Sequence, residues 1–337
     1  MQRLSHQRDL GLGALTLALL GLVAAAFPQF IHPANLLAVL DDTALLIALA
    51  LGEMLVLLTR GVDLSVAANL ALSGMVAALL DQAAPGLGVL PVLLTALAVG
   101  ALLGAFNGLL VWRLRIPSIV VTLGTLSVYR GLVFVVSGGV WVNSNQMSPG
   151  FLGFVRAEVL GITVLSWFAI LAACLAWFAL RYTAAGRDLY AAGSNPNAAA
   201  YAGIDTGRAQ FLAFTASGAL AGLCGYFWVS RFGVAYTDVA SGFELQVIAA
   251  CVIGGVSIAG GVGTVAGVVI GALFLGIIKN ALPLVGVSPF WQMAVSGAVI
   301  TAAVVLNARA ERAGAGRRIL EHAGEPTAAR PARTQPA

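Results

Sequence analysis

Few residues of this 337-residue chain carry side chains able to do chemistry inside an apolar environment. Glu53 lies within a long apolar run, and Asp63 and Ser65 follow it in the segment TRGVDLSVAAN. A carboxyl group in such a place can contact a polar solute or accept a buried hydrogen bond, and it is too costly to face lipid. The sequence leaves both interpretations of Glu53 open.

The sequence contains no set of residues typical of an enzyme's active site. No Gly-x-x-x-x-Gly-Lys-Ser/Thr segment is present, and the glycine cluster 260–267 has no lysine, so we predict no nucleotide site. The histidines lie in the tails or in a connection: His6, His32 and His322. A Ser-His-Asp triad is therefore excluded from the apolar runs. Three cysteines lie in apolar runs without paired spacing: Cys174, Cys224 and Cys251. We predict no disulfide framework, no metal site and no cofactor bound by this chain.

The elements that must position these residues are membrane-spanning helices. Hydrophobic residues make up 60% of the chain and charged residues 9%. A hydrocarbon core of ~30 Å takes about 20 helical residues, and a spanning backbone must satisfy its own hydrogen bonds. We predict an all-α polytopic membrane protein of about ten spans, near residues 10–27, 43–58, 64–80, 88–112, 118–137, 160–180, 209–228, 245–258, 262–280 and 290–307.

The cationic residues predict the orientation. With the N-terminus inside, most of the 18 Lys and Arg residues fall on the cytoplasmic side, whereas Arg156 and Arg231 fall outside. Arg130 and Lys279 lie toward the outer ends of spans. Both termini are therefore predicted to be cytoplasmic, and the net charge of +4 reflects topology and contact with anionic lipid. We predict no nucleic-acid surface.

The two ends of the chain differ in character. The first thirty residues combine basic residues with an apolar stretch as a secretory signal does, but the stretch is long, so we predict a retained first helix. Residues 1–308 form the predicted transmembrane domain. Residues 309–337 are rich in Arg, Ala, Pro and Glu and are predicted to be a disordered basic cytoplasmic tail.

The longest predicted cytoplasmic connection, residues 181–208, is named the coupling loop below. Ser194 or Asn195 can cap a short helix near 196–202 that has Pro196 at its first position, and Gly203 is a natural stop. The exposed face of this helix is predicted to be small and apolar: Ala198, Ala199, Ala200 and Tyr201. Such a face suits a groove on another protein, and a plain linker is the alternative.

Glycines fall into two kinds of pattern. Ladders at helical spacing predict close helix packing: Gly100 with Gly104, Gly218 with Gly222, and Gly263 with Gly267 and Gly271. Elsewhere glycines interrupt apolar runs, in TRGVDLSVAAN (59–69) and IGGVSIAGGVG (253–263). Broken helices must be buried in protein or line a water-filled path, and tight interfacial turns are the alternative. The residues predicted for a solute path are Glu53, Gly61, Asp63, Ser65, Gly254, Gly255, Gly260 and Gly261.

Segments spread over about residues 40–307 resemble the permease subunits of ribose-type ABC sugar importers. They are RGVDLSVAAN (60–69), LRIPSIVVTLGTLSVYRGLVFVVSGG (114–139), GRDLYAAGSNPNAAAYAGI (186–204) and VIAACVIGGVSIAGGVGTVAGVVIGALFLGIIKNALPLVGVSPFWQ (247–292). In that family two glycines usually precede I/V-D-L-S, and here Arg60 replaces the first. The stretches LSVAANLALSGM, NAAAYAGIDTGRAQFLAF and SRFGVAYTDVASGFELQVIAACVIGGVSIAGGVG look most similar to rhamnose importer permeases, with the autoinducer-2 and ribose branches close.

The resemblance implies a bacterial inner-membrane, multi-pass subunit that imports a monosaccharide. Its implied partners are a cytoplasmic ABC ATPase, which binds ATP and Mg, a periplasmic sugar-binding protein, and a second permease in a homodimer or heterodimer. It also implies that the ATPase contacts Gly186, Arg187, Tyr190, Ala191, Gly193, Asn195, Ala198 and Ala199, in the stretch that ends at Gly203. A proton-coupled secondary carrier is the remote alternative, and the scarcity of intramembrane carboxylates argues against it.

Overall fold

The computed structural model describes residues 2–288 and, beyond them, positions 291, 294, 297, 298 and 301. Its helices are α1 (Gln2–Ala26), α2 (Pro33–Leu58), α3 (Val66–Ala83), α4 (Val89–Leu114), α5 (Ser118–Ser137), α6 (Pro149–Arg156), α7 (Val164–Tyr182), α8 (Ala184–Ser194), α9 (Pro196–Tyr201), α10 (Thr206–Phe232), α11 (Phe243–Ile253) and α12 (Val265–Ala281). Short 3₁₀ turns cover Pro28–Ile31, Pro85–Leu87, Ser144–Gln146 and Leu282–Val285. Two antiparallel strand pairs join β1 (Val142–Asn143) to β4 (Val234–Ala235) and β2 (Glu158–Val159) to β3 (Ile162–Thr163).

Most of the predicted spans are confirmed. Within the described residues, eight helices are long and apolar enough to cross a membrane: α1, α2, α3, α4, α5, α7, α10 and α12. The predicted ranges of α3, α4, α5, α10 and α12 agree closely with these helices, whereas α1 and α2 begin at Gln2 and Pro33, well before the predicted starts at 10 and 43. The span predicted at 160–180 begins later, at Val164, because Leu160 and Gly161 both have positive φ and form the two-residue turn between β2 and β3.

The span predicted at 245–258 is wrong in length. The helix there, α11, has 11 residues and is about 16 Å long at 1.5 Å per residue, about half of a hydrocarbon core. It ends at Ile253 because Gly255 adopts a φ of 87°, which stops the helical hydrogen-bond pattern. The tenth predicted span, 290–307, and the predicted tail, 309–337, lie outside the described residues apart from the isolated positions above.

Three helices form the centre of the bundle. More than half of the membrane-crossing window of α2, α3 and α10 is buried, whereas α4, α5, α7 and α12 bury less than a third. Large apolar side chains such as Leu102 and Val135 remain exposed on these outer helices, as expected of surfaces that face lipid. The polar residues of the first glycine segment lie at the ends of α2 and α3 and are therefore surrounded by protein.

The predicted glycine ladders pack helix against helix. Gly100 and Gly104 of α4 face Gly218 and Gly222 of α10, and a Cβ added to Gly104 would lie 2.8 Å from the Cα of Gly218. The backbones of α4 and α10 are thus in direct contact, which only small residues allow. Gly267 and Gly271 likewise contact the end of α11, whereas Gly263 lies before α12 and makes a different contact, described below.

The cations mark two ends of the bundle. One end, named the arginine-rich end, carries Arg60, Arg115 and Arg208 near the ends of α2, α4 and α10. At the other end of α10, Arg231 pairs with Asp42 and Arg156 donates a hydrogen bond of 3.0 Å to the carbonyl oxygen of Arg231. This separation agrees with the predicted orientation, in which the arginine-rich end is cytoplasmic.

Candidate functional site

The first helix break, residues 59–65, begins with a defined turn at the end of α2. The Arg60 N–H donates to the Leu57 carbonyl oxygen at 2.9 Å, and the Gly61 N–H donates to that of Val56 at 3.1 Å. This pair of hydrogen bonds is the Schellman motif, whose penultimate residue lies in the left-handed region. That residue is Arg60, with a φ of 64°, a conformation that costs a non-glycine residue about 1–2 kcal/mol.

Buried carboxyl groups hold the backbone of the first break. Glu53 Oε1 accepts a hydrogen bond of 3.0 Å from the Asp63 N–H. Asp63 Oδ1 accepts from the Ser65 N–H at 2.9 Å and from the Ser65 hydroxyl at 2.6 Å. All three side chains are at most 1% exposed. Since helix breaks leave backbone groups unpaired, these bonds supply the partners that the interrupted helix lacks.

Two side chains that sequence reasoning missed complete this network. Asn107 of α4 donates to the Ser65 hydroxyl oxygen at 2.8 Å. The Tyr129 hydroxyl of α5 lies 3.1 Å from Asn107 Oδ1 and 2.8 Å from the Leu103 carbonyl oxygen. An asparagine in the apolar run of α4 is the signal that could have identified the first of them, because a lone amide in a span needs partners.

The structure places Glu53 in a buried hydrogen bond, which is one of the two interpretations left open by the sequence. Its second oxygen, Oε2, is buried without a hydrogen-bond partner among the described residues. Gly61, Asp63 and Ser65 are buried as well. Their assignment to a solute path stays a prediction, because in the conformation described the protomer encloses all four residues.

The second helix break, residues 254–264, is built on glycine conformations. Gly255, Gly260 and Gly261 have φ values of 87°, 87° and 72°. Gly254 packs against Gly267 of α12, which allows α11 and α12 to meet closely. Within the break, the Ser257 N–H donates to the Val262 carbonyl oxygen at 2.9 Å. The break is therefore an ordered turn, and its place in the solute path stays a prediction.

The N-terminal helix supports the second break. Thr264 caps α12 by accepting from the Gly267 N–H at 3.0 Å, and its hydroxyl donates to Asp9 Oδ2 of α1 at 2.8 Å. A carboxylate beside the first turn of a helix is stabilised by the helix dipole. The start of α1 thus lies at the same end of the bundle as the second break.

The coupling loop folds into two short helices, and the helix predicted near 196–202 is confirmed as α9. Asn195 caps it by accepting from the Ala198 N–H at 3.1 Å. Gly203 ends it, with a φ of 82° and with the same pair of Schellman hydrogen bonds that closes α2. Upstream, Gly186 lets the start of α8 lie against the end of α7, and Arg187 is exposed on α8.

The predicted exposed face of α9 needs one correction. Ala199 is 5% exposed and faces the protein, and its carbonyl oxygen accepts a hydrogen bond of 3.0 Å from the Ile204 N–H. Ala198, Ala200 and Tyr201 are exposed as expected, and Tyr201 reaches 95%. The outward surface of α9 is therefore narrower than predicted and is dominated by one aromatic side chain.

The two breaks and the coupling loop meet in one place, named the junction: residues 58–60, 190–194 and 260–263. The Gly261 N–H donates to the Leu58 carbonyl oxygen at 3.0 Å and joins the two breaks. Tyr190 of α8 donates its hydroxyl hydrogen to the Gly263 carbonyl oxygen at 2.8 Å. Sequence reasoning singled out these segments separately, and the fold brings them together.

Gly193 permits the close approach at the junction. A Cβ at this residue would lie 2.6 Å from the Gly261 nitrogen and 2.9 Å from the Leu58 carbonyl carbon. Both neighbours are backbone atoms, which cannot turn away as a flexible side chain can. The end of α8 is thus in contact with the backbone of both breaks at once.

The Tyr190 hydrogen bond depends on a phenol that keeps its proton. Burial, with a smaller contribution from the nearby Asp9 carboxylate, raises the pKa of Tyr190 above its ordinary value. The hydroxyl therefore remains a donor throughout the physiological pH range. We expect Tyr190→Phe to lower the free energy of unfolding by about 1 kcal/mol in thermal melts. Tyr182→Phe is the control, because the Tyr182 side chain is exposed; equal effects of the two changes would contradict the assignment.

Comparison with known proteins agrees with this architecture. The profile of the family described as "Branched-chain amino acid transport system / permease component" matches residues 35–304. The chain belongs to this permease family. It is a multi-pass inner-membrane protein and a non-catalytic transport subunit of an ABC importer.

Similar permeases are named for the import of autoinducer 2. The Autoinducer 2 import system permease protein LsrC of Enterobacter sp. (strain 638) is 38% identical over 314 residues, which cover 93% of this chain and 90% of that protein. The LsrC proteins of Salmonella typhimurium (strain LT2) and Escherichia coli O9:H4 (strain HS) are each 38% identical to this permease, over 83% of its length. The matched regions cover 80% of the Salmonella protein and 81% of the Escherichia coli protein. No solved structure matches the chain.

Proposed function

We propose that this permease forms the membrane path of an ATP-driven importer that moves autoinducer-2, a sugar-like solute, from periplasm to cytoplasm. The proposal is carried by the 38% identity, over nearly the full length of both chains, to a permease named for autoinducer-2 import. These relatives favour autoinducer-2 over rhamnose, the solute predicted from the sequence resemblance. Rhamnose, ribose and other pentoses or hexoses become the comparison solutes of the test.

The proposed assembly contains three kinds of partner. A cytoplasmic ABC ATPase would bind ATP and Mg, a periplasmic binding protein would deliver the solute, and a second permease would complete the path as a homodimer or heterodimer. The solute would cross between the two permeases. Weak polar contacts suit this path, since a permease that holds its solute tightly releases it slowly.

The junction supports a mechanism for coupling. We propose that closure of the ATPase displaces α9 and α8. Because the end of α8 contacts both breaks, the displacement would reach α2 and α3 through the first break and α11 and α12 through the second. Helices can change direction at a break with little distortion of their regular segments. The junction is therefore suited to switch access to the solute path between the periplasmic and cytoplasmic sides.

Reconstitution tests the proposed function. Proteoliposomes that contain the permease and its ATPase, supplied with the binding protein, ATP and Mg, should accumulate autoinducer-2. This uptake should stop when ATP is replaced by a non-hydrolysable analogue. Uptake should persist in the presence of an uncoupler, unlike that of a proton-coupled carrier. Preference for rhamnose or ribose would overturn the solute assignment, and uptake without the ATPase would overturn the whole proposal.

The ATPase contact is tested at Tyr201, which is 95% exposed on α9. We expect Tyr201→Asp to weaken association with the ATPase at least tenfold, because the change removes an aromatic contact worth about 2 kcal/mol or more and adds a charge. Ala185→Asp adds the same charge at an exposed position in the first turn of α8, where the helix dipole favours it. The assignment fails if both variants bind the ATPase equally well in a pull-down with purified proteins.

A further inference from the structure

Arg60 occupies a backbone position that suits glycine. Its φ of 64° lies in the left-handed region, just after the end of α2. The chain contains its own comparison, because the same pair of backbone hydrogen bonds closes α9 and the corresponding residue there is Gly203, with a φ of 82°. Since a Cβ is disfavoured in this conformation, the turn alone gives no reason for an arginine.

The side chain of Arg60 supplies the reason. Its Nε donates to the Gly193 carbonyl oxygen at 2.7 Å, and its Nη2 lies 3.2 Å from the Ser194 carbonyl oxygen. These two carbonyls end α8, where unpaired oxygens form the negative pole of the helix dipole. The last turn of α8 contains no basic residue, so Arg60 brings a cation to it from a distant segment of the chain.

The contacts at the junction connect different pairs of segments. Gly261 and Leu58 join the two breaks to each other, and Tyr190 joins the coupling loop to the second break. The Arg60 side chain joins the coupling loop to the first break. Its guanidinium group holds the end of α8 directly against the last residues of α2.

We infer that Arg60 is a positioning residue for transport, which transmits displacement of the coupling loop to the end of α2. The inference rests on the proposed function, because the displacement comes from the partner ATPase. It gives the strained conformation a role: the arginine destabilises its own turn locally and in exchange adds two hydrogen bonds between segments that a glycine would leave in backbone contact alone.

Two substitutions of Arg60 distinguish the loss of its contact with the coupling loop from a loss of protein stability. Arg60→Gly relieves the backbone strain and loses two partly or fully exposed hydrogen bonds, which act on stability in opposite directions, so the melting temperature should stay near that of the wild type. In proteoliposomes holding the complete importer, the number of solute molecules moved per ATP hydrolysed should fall about tenfold, within the range typical of coupling between sites. Arg60→Gln keeps the strain and loses the cation, and it should lower the same ratio even if the glycine variant accumulates poorly.

Arg115→Gly is the matched control. Arg115 also has a left-handed φ, 54°, and is exposed at the arginine-rich end. Its glycine variant should relieve the same kind of backbone strain and leave the ratio of solute to ATP unchanged. An unchanged ratio in Arg60→Gly, or an equal loss in Arg115→Gly, overturns the inference.

A second measurement does not depend on transport. Hydrogen–deuterium exchange of the purified wild-type and variant permeases should be at least severalfold faster in peptides covering residues 186–195 when Arg60 is glycine, because the end of α8 loses two hydrogen bonds. If the wild-type importer moves none of the solutes tried, the proposed function fails, while the exchange experiment still decides whether Arg60 holds the coupling loop. Equal exchange in the two proteins contradicts that role.

Discussion

Gly218→Val is expected to prevent the permease from accumulating in folded form. A Cβ at this residue of α10 would lie 2.7 Å from the Cα and 2.8 Å from the nitrogen of Gly104, and it would also overlap the Gly100 carbonyl oxygen. All three are backbone atoms of α4, so the two helices must separate along their length. Overpacking in a close-packed interior costs about 1–3 kcal/mol even where side chains can adjust, and here we expect more because none can.

The experiment compares yields of monodisperse protein by size exclusion and, where protein is obtained, melting temperatures. Gly218→Ala should also destabilise the folded permease. This would be opposite to an exposed helix position, where alanine is more favourable than glycine by about 1 kcal/mol. Gly124 on α5 is the control, because a Cβ there meets no atom within 4 Å. A normal yield of the Gly124→Val variant together with no folded Gly218→Val protein would support close α4–α10 packing. Wild-type yields of both variants would contradict it.

The spans could be predicted from the sequence because the bilayer sets both their length and their polarity. The helices α4 and α5 agree with the predicted 88–112 and 118–137 within two residues. The glycine ladders were also predictable, because spacing of four residues places small side chains on one face. The short α11 was not, since its apolar composition continues past Ile253 and only the positive φ of Gly255 ends the helix.

The junction could not be predicted, because it depends on contacts between segments far apart in sequence. Gly193 was identified by family resemblance and Gly261 by a glycine pattern, and neither line of reasoning indicated that their backbones touch. Arg60 illustrates the same limit. In the sequence it is a departure from a glycine pattern, and only the carbonyl groups of α8 explain it. Likewise the composition of α9 does not reveal which of its alanines is buried, and Ala199 is the one that faces the protein.

The arrangement of contacts suggests why the two breaks differ in chemistry. The first is held by side chains from α2, α4 and α5 through the Glu53–Asp63–Ser65–Asn107–Tyr129 network, and it is enclosed by protein. The second combines three left-handed glycines with hydrogen bonds from Tyr190 and to Leu58 and Asp9, and Ile258 and Val262 within it are exposed. The first break is therefore joined to the central helices by buried polar groups, whereas part of the second break lies at the protein surface.

Asp63→Ala is expected to destabilise the permease by about 2–4 kcal/mol. The change removes the acceptor of the Ser65 N–H and hydroxyl and leaves these two buried donors unpaired, while the backbone N–H of residue 63 keeps its hydrogen bond to Glu53. Asp63→Asn keeps an oxygen at Oδ1 and should retain most of the stability. Melting temperatures of the two variants, measured side by side in detergent, give the difference.

The same pair of variants decides what the first break does in transport. If Asp63 supports the turn, as its enclosure indicates, the asparagine variant should import solute with a KM near that of the wild type, and the alanine variant should lose activity in proportion to the folded protein lost. A wild-type melting temperature in Asp63→Ala together with a changed KM would instead place Asp63 against the solute. Glu53 accepts a hydrogen bond from the backbone of the same turn. We therefore expect Glu53→Gln, like Asp63→Asn, to keep most of the stability and a KM near that of the wild type.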